Sequence, residues 1–314
     1  MKKIIISICL ITLLLNLSAC KQNGIGTVPS TPEAVTEDNE TESDVADSAV
    51  VLPSFTLDTL PVIQANTACQ PLAARLIREM TGCTEDEAYE HVEPAKTATA
   101  MYSLNGNDKT EPVLLLTYMN YEWDEYPQLE RTAIGRDGLI FITNSDNPVD
   151  NLTTQQVFDI YTGAVTNWSQ VGGADMPITA YQRQTTSGAG GMLDRLILYG
   201  APLTEAPSDL VASEMGELVT AVASYKNIGG AIGYSVYYYA NFMFNQPDFK
   251  MISIDGVAPS NQTIADGSYK HTENFFAVIR PTEAQDSPAR AIIEWLKTAP
   301  GRKLIAEAGY VGVK

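Results

Sequence analysis

Arg183 stands just ahead of a run of small residues, Ser187-Gly188-Ala189-Gly190-Gly191, in the stretch AYQRQTTSGAGGM. A guanidinium is planar, permanently charged and rich in donors, and it matches the geometry of a tetrahedral oxyanion. Glycines let the backbone approach a ligand closely. Ser187 offers a hydroxyl, and the apolar spacing from Met192 predicts a helix whose first-turn N–H groups lack partners. These residue types hold an anion with donors alone. A second turn of this kind is Asn66-Thr67-Ala68-Cys69, between the apolar LPVIQ and a helical pattern. There Thr67 either caps the helix or presents its hydroxyl to a ligand. In open α/β sheets, ligands sit at such strand-to-helix turns.

Other chemistries fit less well. A nucleophilic Ser187 needs a base within hydrogen-bond reach. The two histidines, His91 and His271, are distant in sequence, and Thr185 replaces the first glycine of a Gly-x-Ser-x-Gly elbow. No enzyme activity is expected. Neither histidine has a ligand cluster around it, so no metal site and no cofactor are expected. Apolar Leu72, Ala73, Leu76, Ile77 and Met80 predict a helix over Gln70–Met80, between Cys69 and Cys83. Its ends lie on the order of 20 Å apart, beyond the ~7 Å that a disulfide spans, so both thiols are expected free. Tyr234, Tyr237, Tyr238 and Tyr239 could form a sugar-stacking platform, but their place after a short strand favours packing. Trp168 and Trp295 are read as core.

The elements that position these residues begin after a leader. Lys2 and Lys3 precede the apolar run Ile4–Ala19, which is short for a membrane span and right for a secretory signal. It ends in Leu17-Ser18-Ala19-Cys20, which looks like the lipobox of a bacterial lipoprotein, with Cys20 as the lipidated N-terminus. Residues 21–50 carry seven acids against one base and no aromatic, which predicts an extended, disordered tether. The leader contributes +2 and the tether -6, which leaves -14 of the net -18 on the remainder. So acidic a body argues against nucleic acid or an anionic membrane face as partners. Its length suits one large or two smaller α/β domains.

Within that body, strands are predicted at 60–64, 113–119, 138–143, 177–181, 230–234, 251–254 and 275–279. Besides the helix after Cys69, helices are predicted at 155–161, opened by a Thr153/Gln156 capping box and stopped by Gly163, and at 216–225, 289–297 and 302–308. The alternation favours mixed sheets covered by helices.

The stretch NPVDNLTTQQVFDIYTGAVTNWSQVGGADMPITAYQRQTTSGAGGM, from Asn147 to Met192, resembles the phosphate-binding lipoproteins of high-affinity phosphate ABC transporters. The shared elements are Asn-Pro-Val, Leu-Thr, Tyr-Thr-Gly, Asn-Trp, Val-Gly-Gly and Arg-x-x-x-Ser-Gly. GGAIGYSVYYY, SIDGVAPSNQTIADGSY and WLKTAPGRKLIAEAGYVGV extend the likeness, which covers about residues 55 to 314. It implies a type 2 periplasmic-binding-protein fold: two α/β lobes with a ligand cleft between them. The chain would cross between them near Asp137–Thr143 and His271–Phe276. The lobes would then be 51–137 with 272–314, and 138–271.

Carried over by residue, the resemblance implies ligand contacts from Asn66, Thr67, Ala68 and Cys69 at the first turn and from Arg183, Ser187, Gly188 and Ala189 at the second. Thr97, or else Thr99, stands near a further Ser/Thr ligand position. Implied partners are inorganic phosphate or a related oxyanion and ABC permease subunits. The protein would be a monomer held by lipid on Cys20 at the extracytoplasmic face of a bacterial membrane. Three departures stand out. Ala65-Asn66-Thr67 replaces the family's Gly-Ser-Thr. Ala189 removes a hydroxyl from the second turn. No acid sits in register after the third strand, in Thr117–Glu122, where the family places an acceptor for a phosphate proton. A sensor, an adhesin or a binder of another oxyanion on the same fold is the competing expectation.

Overall fold

The computed structural model describes residues 50–106, 113–119, 121–224, 229–244 and 248–313. The leader, Cys20 and the acidic stretch through residue 49 lie outside the described residues. The strands are β1 (Ile63–Ala65), β2 (Val92–Pro94), β3 (Leu114–Tyr118), β4 (Glu130–Asn144), β5 (Asn151–Leu152), β6 (Thr179–Ala180), β7 (Gln182–Arg183), β8 (Val211–Ala212), β9 (Ala231–Val236), β10 (Phe249–Ile254), β11 (Thr272–Ile279) and β12 (Val311–Gly312). All but β7 and β8 join one mixed sheet, with the path β2-β1-β3-β11-β4-β10-β5. β7 and β8 pair in parallel with each other.

β1 and β3 are parallel neighbours, buried along their length, and read as near-continuous apolar runs. β4 is the long member. Its first half, Glu130–Gly138, pairs with β11, while Leu139–Asn144 pairs with β9 and β10. One strand therefore carries two sets of partners end to end and makes two α/β halves. Only its apolar second half is legible as a strand. The first half carries Glu130, Arg131, Arg136 and Asp137 and shows no apolar run.

The helices are α1 (Gln70–Thr81), α2 (Glu85–Glu90), α3 (Thr97–Asn105), α4 (Thr154–Thr162), α5 (Gly188–Leu193), α6 (Met215–Ala223), α7 (Asn261–Ala265), α8 (Pro288–Leu296) and α9 (Ala299–Glu307). α1 buries its expected apolar stripe, starts with Pro71 in the first turn and ends at Gly82, whose φ of 71° suits a left-handed cap. α4 carries the expected reciprocal cap: Gln156 N–H donates to Thr153 Oγ1 at 3.1 Å, and Thr153 N–H donates to Gln156 Oε1 at 2.8 Å. The helix expected over 216–225 is α6; Tyr225 lies outside the described residues. α2 and α3 escape the sequence reading because α2 is short and highly charged and α3 lacks a clear apolar stripe.

The core is formed by both sheet halves and the helices over them. Trp168 and Trp295 are buried in it, as expected, and so are Tyr234, Tyr237 and Tyr238. Cys69 and Cys83 are both free thiols, as the helix between them requires. Among the described residues, no helix is long and apolar enough to cross a membrane, and no cluster of His, Cys, Asp and Glu could hold a metal ion.

Candidate anion-binding site

The first turn leads from β1 into α1. Asn66, not Thr67, is its cap: Asn66 Oδ1 accepts from the Cys69 N–H at 3.1 Å. The Asn66 carbonyl accepts from the Cys69 and Gln70 N–H groups at 2.8 and 3.1 Å. The expected contribution of Cys69 is therefore corrected. Its N–H is spent on the cap and its side chain is fully buried. Burial, and then the charge of Asp137, push the Cys69 thiol well above its ordinary range. Asn66, Thr67 and Ala68 line a cavity, with Thr67 exposed. The N–H groups of Thr67 and Ala68 and the Thr67 hydroxyl are the donors this turn offers.

The second turn follows β7. Ser187 caps α5: its Oγ accepts from the Gly190 N–H at 3.1 Å and donates to the Gln184 carbonyl at 2.7 Å. Its hydroxyl caps the helix while the residue lines the cavity. A Cβ on Gly190 would meet the Gln184 carbonyl oxygen at 2.1 Å, so only glycine lets the 184–187 turn fold back onto the helix start. Gly188 and Ala189 line the cavity, and their first-turn N–H groups are the donors on this side. Ala189 is buried. After Leu193 the helix widens into a π-type turn over Asp194–Leu198.

Arg183 closes the wall between these turns. The residue is only 9% exposed. Its Nη2 donates to the Ser213 carbonyl at 3.1 Å, while Nε and Nη1 are buried without a partner. No carboxylate forms an ion pair with it among the described residues. Burial lowers its pKa from the usual guanidinium value, opposed by Tyr234, Glu214, Glu217 and Tyr239. Buried N–H donors without acceptors are costly. Its backbone N–H donates to Tyr234 Oη at 2.7 Å, so the buried tyrosine read as packing also holds this arginine in place.

The cavity is about 250 Å³. It gathers Asn66, Thr67, Ala68, Arg183, Ser187, Gly188 and Ala189, seven of the expected site residues. Cys69 is not among its lining residues. Thr97 opens α3 next to the lining residue Lys96, but its side chain lies outside the described residues. Sequence reasoning missed Tyr118, Lys96, Ser213, Glu214 and the part of Tyr239 that lines the cavity. Lys96 and Glu214, residues just before α3 and α6, form an ion pair at 3.0 Å on the rim. Tyr118 ends β3, and its Oη donates to Asp137 Oδ2 at 2.6 Å. The register of apolar β3 could have found Tyr118; nothing local in the sequence marks Asp137 as its partner.

Neither histidine touches Ser187. His91 Nδ1 bonds the Glu87 carbonyl at 2.8 Å, and His271 Nε2 bonds Thr154 Oγ1 at 2.9 Å. Oγ is held between a carbonyl and an N–H, and among the described residues no base bonds it.

Two α/β halves share one long strand, and a small cavity lies where two helix starts come together. The PBP superfamily domain matches residues 122–298, and the chain belongs to that superfamily. Among curated relatives, the phosphate-binding protein PstS of Borreliella burgdorferi is 24% identical over 190 residues, 59% of this chain and 66% of that protein. The phosphate-binding protein PstS of Bacillus subtilis is 25% identical over 177 residues, 56% of this chain and 55% of that protein. The matched stretch thus spans between about half and two thirds of these relatives' length. A crystal structure described as a phosphate ABC transporter substrate-binding protein with bound phosphate, from Clostridium perfringens, superposes with a TM-score of 0.65 at 21% identity. It covers 81% of this chain and 99% of that one. The fold is the type 2 periplasmic-binding-protein fold, with two α/β lobes.

Proposed function

We propose that this chain is an extracytoplasmic solute-binding lipoprotein that captures inorganic phosphate for an ABC transporter and catalyses no reaction. The observation that carries the reading is Arg183: a buried guanidinium with Nε and Nη1 unspent, on the wall of a cavity also lined by two helix starts. An oxyanion there satisfies the orphan donors with charge-assisted bonds and offsets the desolvation of the arginine. The cavity falls below the ~300–1,000 Å³ of drug-sized sites, which suits a small inorganic anion. The relatives named phosphate-binding protein PstS support it.

The finer parts of the reading rest on sequence. Lipid on Cys20 tethers the domain, and residues 21–50 act as a stalk. The lobes are 51–137 with 272–314, and 138–271; the change of partners along β4 at Gly138/Leu139 supports the first boundary. Lobe closure over the anion is the mechanism of capture, and the unit is a monomer.

Calorimetric titration of the purified domain with phosphate tests the proposal. Binding at micromolar to millimolar phosphate that Arg183→Ala removes is the expected result. No heat in that range, and no effect of the substitution, sinks it. A second reading has its own observation: the Ser187 hydroxyl and Cys69 N–H are committed to caps and Ala189 has no hydroxyl. With fewer side-chain donors, the fold could serve another oxyanion, as transporter, sensor or adhesin. Tight binding of sulfate, phosphite or a phosphonate, with phosphate weak, decides for it.

A further inference from the structure

Arg195 folds back along its own helix. It follows α5 in the wider turn over Asp194–Leu198, and a Cβ on Gly191 would come within 2.8 Å of its Nη1. A larger residue at 191 would push the guanidinium aside. From this place Arg195 forks onto Glu273 of β11: Nε donates to Oε1 at 2.7 Å and Nη2 to Oε2 at 2.6 Å. Nη2 also donates to the Met119 carbonyl at 3.1 Å, directly after β3. The two side chains are only 20% and 8% exposed. A planar guanidinium set on a carboxylate by two parallel bonds is a strong and directional ion pair.

These partners come from different sides of the anion cavity. α5 opens with Gly188 and Ala189, which line it, and Met119 follows Tyr118, which lines it as well. Glu273 lies opposite Asp137 in the ladder of β11 and β4, beside the point where β4 changes partners. On the lobe boundaries proposed above, Arg195 stands in one lobe and Met119 and Glu273 in the other. Two further ion pairs set the scale. Arg290 grips Glu130 with the same fork, at 2.6 and 2.8 Å, but both residues fall in one lobe and neither lines the cavity. Lys96–Glu214 does join the lobes, through side chains more than half exposed that water and salt screen.

We propose that Arg195 is a positioning residue for the anion cavity: it braces α5 against β3 and β11 and so holds the two lobes together while an oxyanion is bound. The inference rests on the oxyanion reading and the lobe boundaries given above. Arg195 touches no anion in this scheme. Its bonds form where the lobes meet and are exchanged for water when they part. Apparent affinity scales with the fraction of molecules in the competent, closed form, so the brace raises affinity without a contact of its own. It acts on release more than on capture, because the anion meets the open protein before the brace forms.

Glu273→Gln keeps the size of the side chain and removes its charge, and Arg195→Gln removes the fork. Each speeds phosphate release about tenfold or more and leaves the association rate within about twofold. The double variant loses no more than the worse single, since either change alone already breaks the one interaction. Melting midpoints separate a brace from a pair that only holds the fold. A pair of that second kind lowers the midpoint equally with and without ligand. A brace leaves the ligand-free midpoint near wild type and shrinks the rise that the anion brings.

The experiment combines calorimetric titration with phosphate and with sulfate, release of the radiolabelled anion into unlabelled excess, and thermal melts with and without it. The proteins are the wild type, Arg195→Gln, Glu273→Gln, the double variant and Glu130→Gln. Faster release in both single variants, non-additive in the double, with Glu130→Gln releasing at the wild-type rate, supports the proposal. Should Arg195→Gln fail to fold, the near-isosteric Glu273→Gln decides alone. The proposal is overturned if the wild type binds an anion and folded Glu273→Gln releases it within twofold of the wild-type rate, or if the variants lower the ligand-free midpoint as much as the bound one. A wild type that binds neither anion overturns the oxyanion reading itself, and this inference with it.

Discussion

The two turns that face the cavity look alike in sequence and do different work. At Asn66–Cys69 the cap is a side-chain amide, the helix behind it is long and firmly buried, and no charge is present. At Arg183–Ala189 the cap is a hydroxyl bonded on both sides, the helix start is glycine-rich, and a buried arginine stands beside it. The first turn is a rigid set of neutral donors. The second brings the charge, and its backbone folds so tightly that only glycine fits at 190. On the proposed oxyanion reading, one side chain supplies the charge and backbone N–H groups supply the rest.

If that contrast is right, Arg183→Ala has the largest effect. Two lost charge-assisted bonds lower phosphate affinity by about two to four decades. Stability without ligand is unchanged or raised, because a buried unpaired charge is removed; calorimetry and thermal melts read the two separately. Next comes Asp137, the buried partner of Tyr118. Burial raises its carboxyl to about 6. The folded chain then holds a proton there more tightly than the unfolded chain does. This stabilisation is complete below the unfolded pKa of about 4 and is lost as pH rises through about 6. Denaturant titrations should show the stability of Asp137→Asn relative to wild type rising by on the order of 3 kcal/mol between pH 4 and pH 7, then levelling off.

The caps come third. Asn66→Ala should cost about 1 kcal/mol in denaturant unfolding, and Ser187→Ala a similar amount. Equal losses of phosphate affinity in the two would erase the distinction between the turns; a larger loss for Asn66→Ala, whose turn has no arginine to hold the anion, would sharpen it. Thr67→Val is the mildest. It deletes an exposed hydroxyl and should weaken phosphate by about threefold to tenfold with no change in melting temperature.

Much of this was legible in the sequence, for physical reasons. α1, α4 and the buried strands announce themselves by apolar period and by caps whose partners lie three residues away. Arg183 and the glycines after it were legible because their residue types are needed for little else. The first half of β4 was not, because Glu130, Arg131 and Arg136 lie on a partly exposed surface with no apolar rhythm. The choice of Asn66 over Thr67 as cap was not, because both types cap and only the backbone path decides. Tyr118 and Asp137 were missed together. Their hydrogen bond joins the end of one strand to the middle of another, a register that no local pattern encodes.

The Lys96–Glu214 pair on the rim has a consequence for timing. Both side chains are more than half exposed, so the pair contributes little energy and salt screens it readily. On the proposed reading, so loose a clasp bears on how quickly an anion leaves rather than on how full the site becomes. A binding protein of the proposed kind must surrender its cargo, and such a fastening suits it. Higher ionic strength should shorten the dwell time of each captured ion and leave saturation at excess ligand where it was.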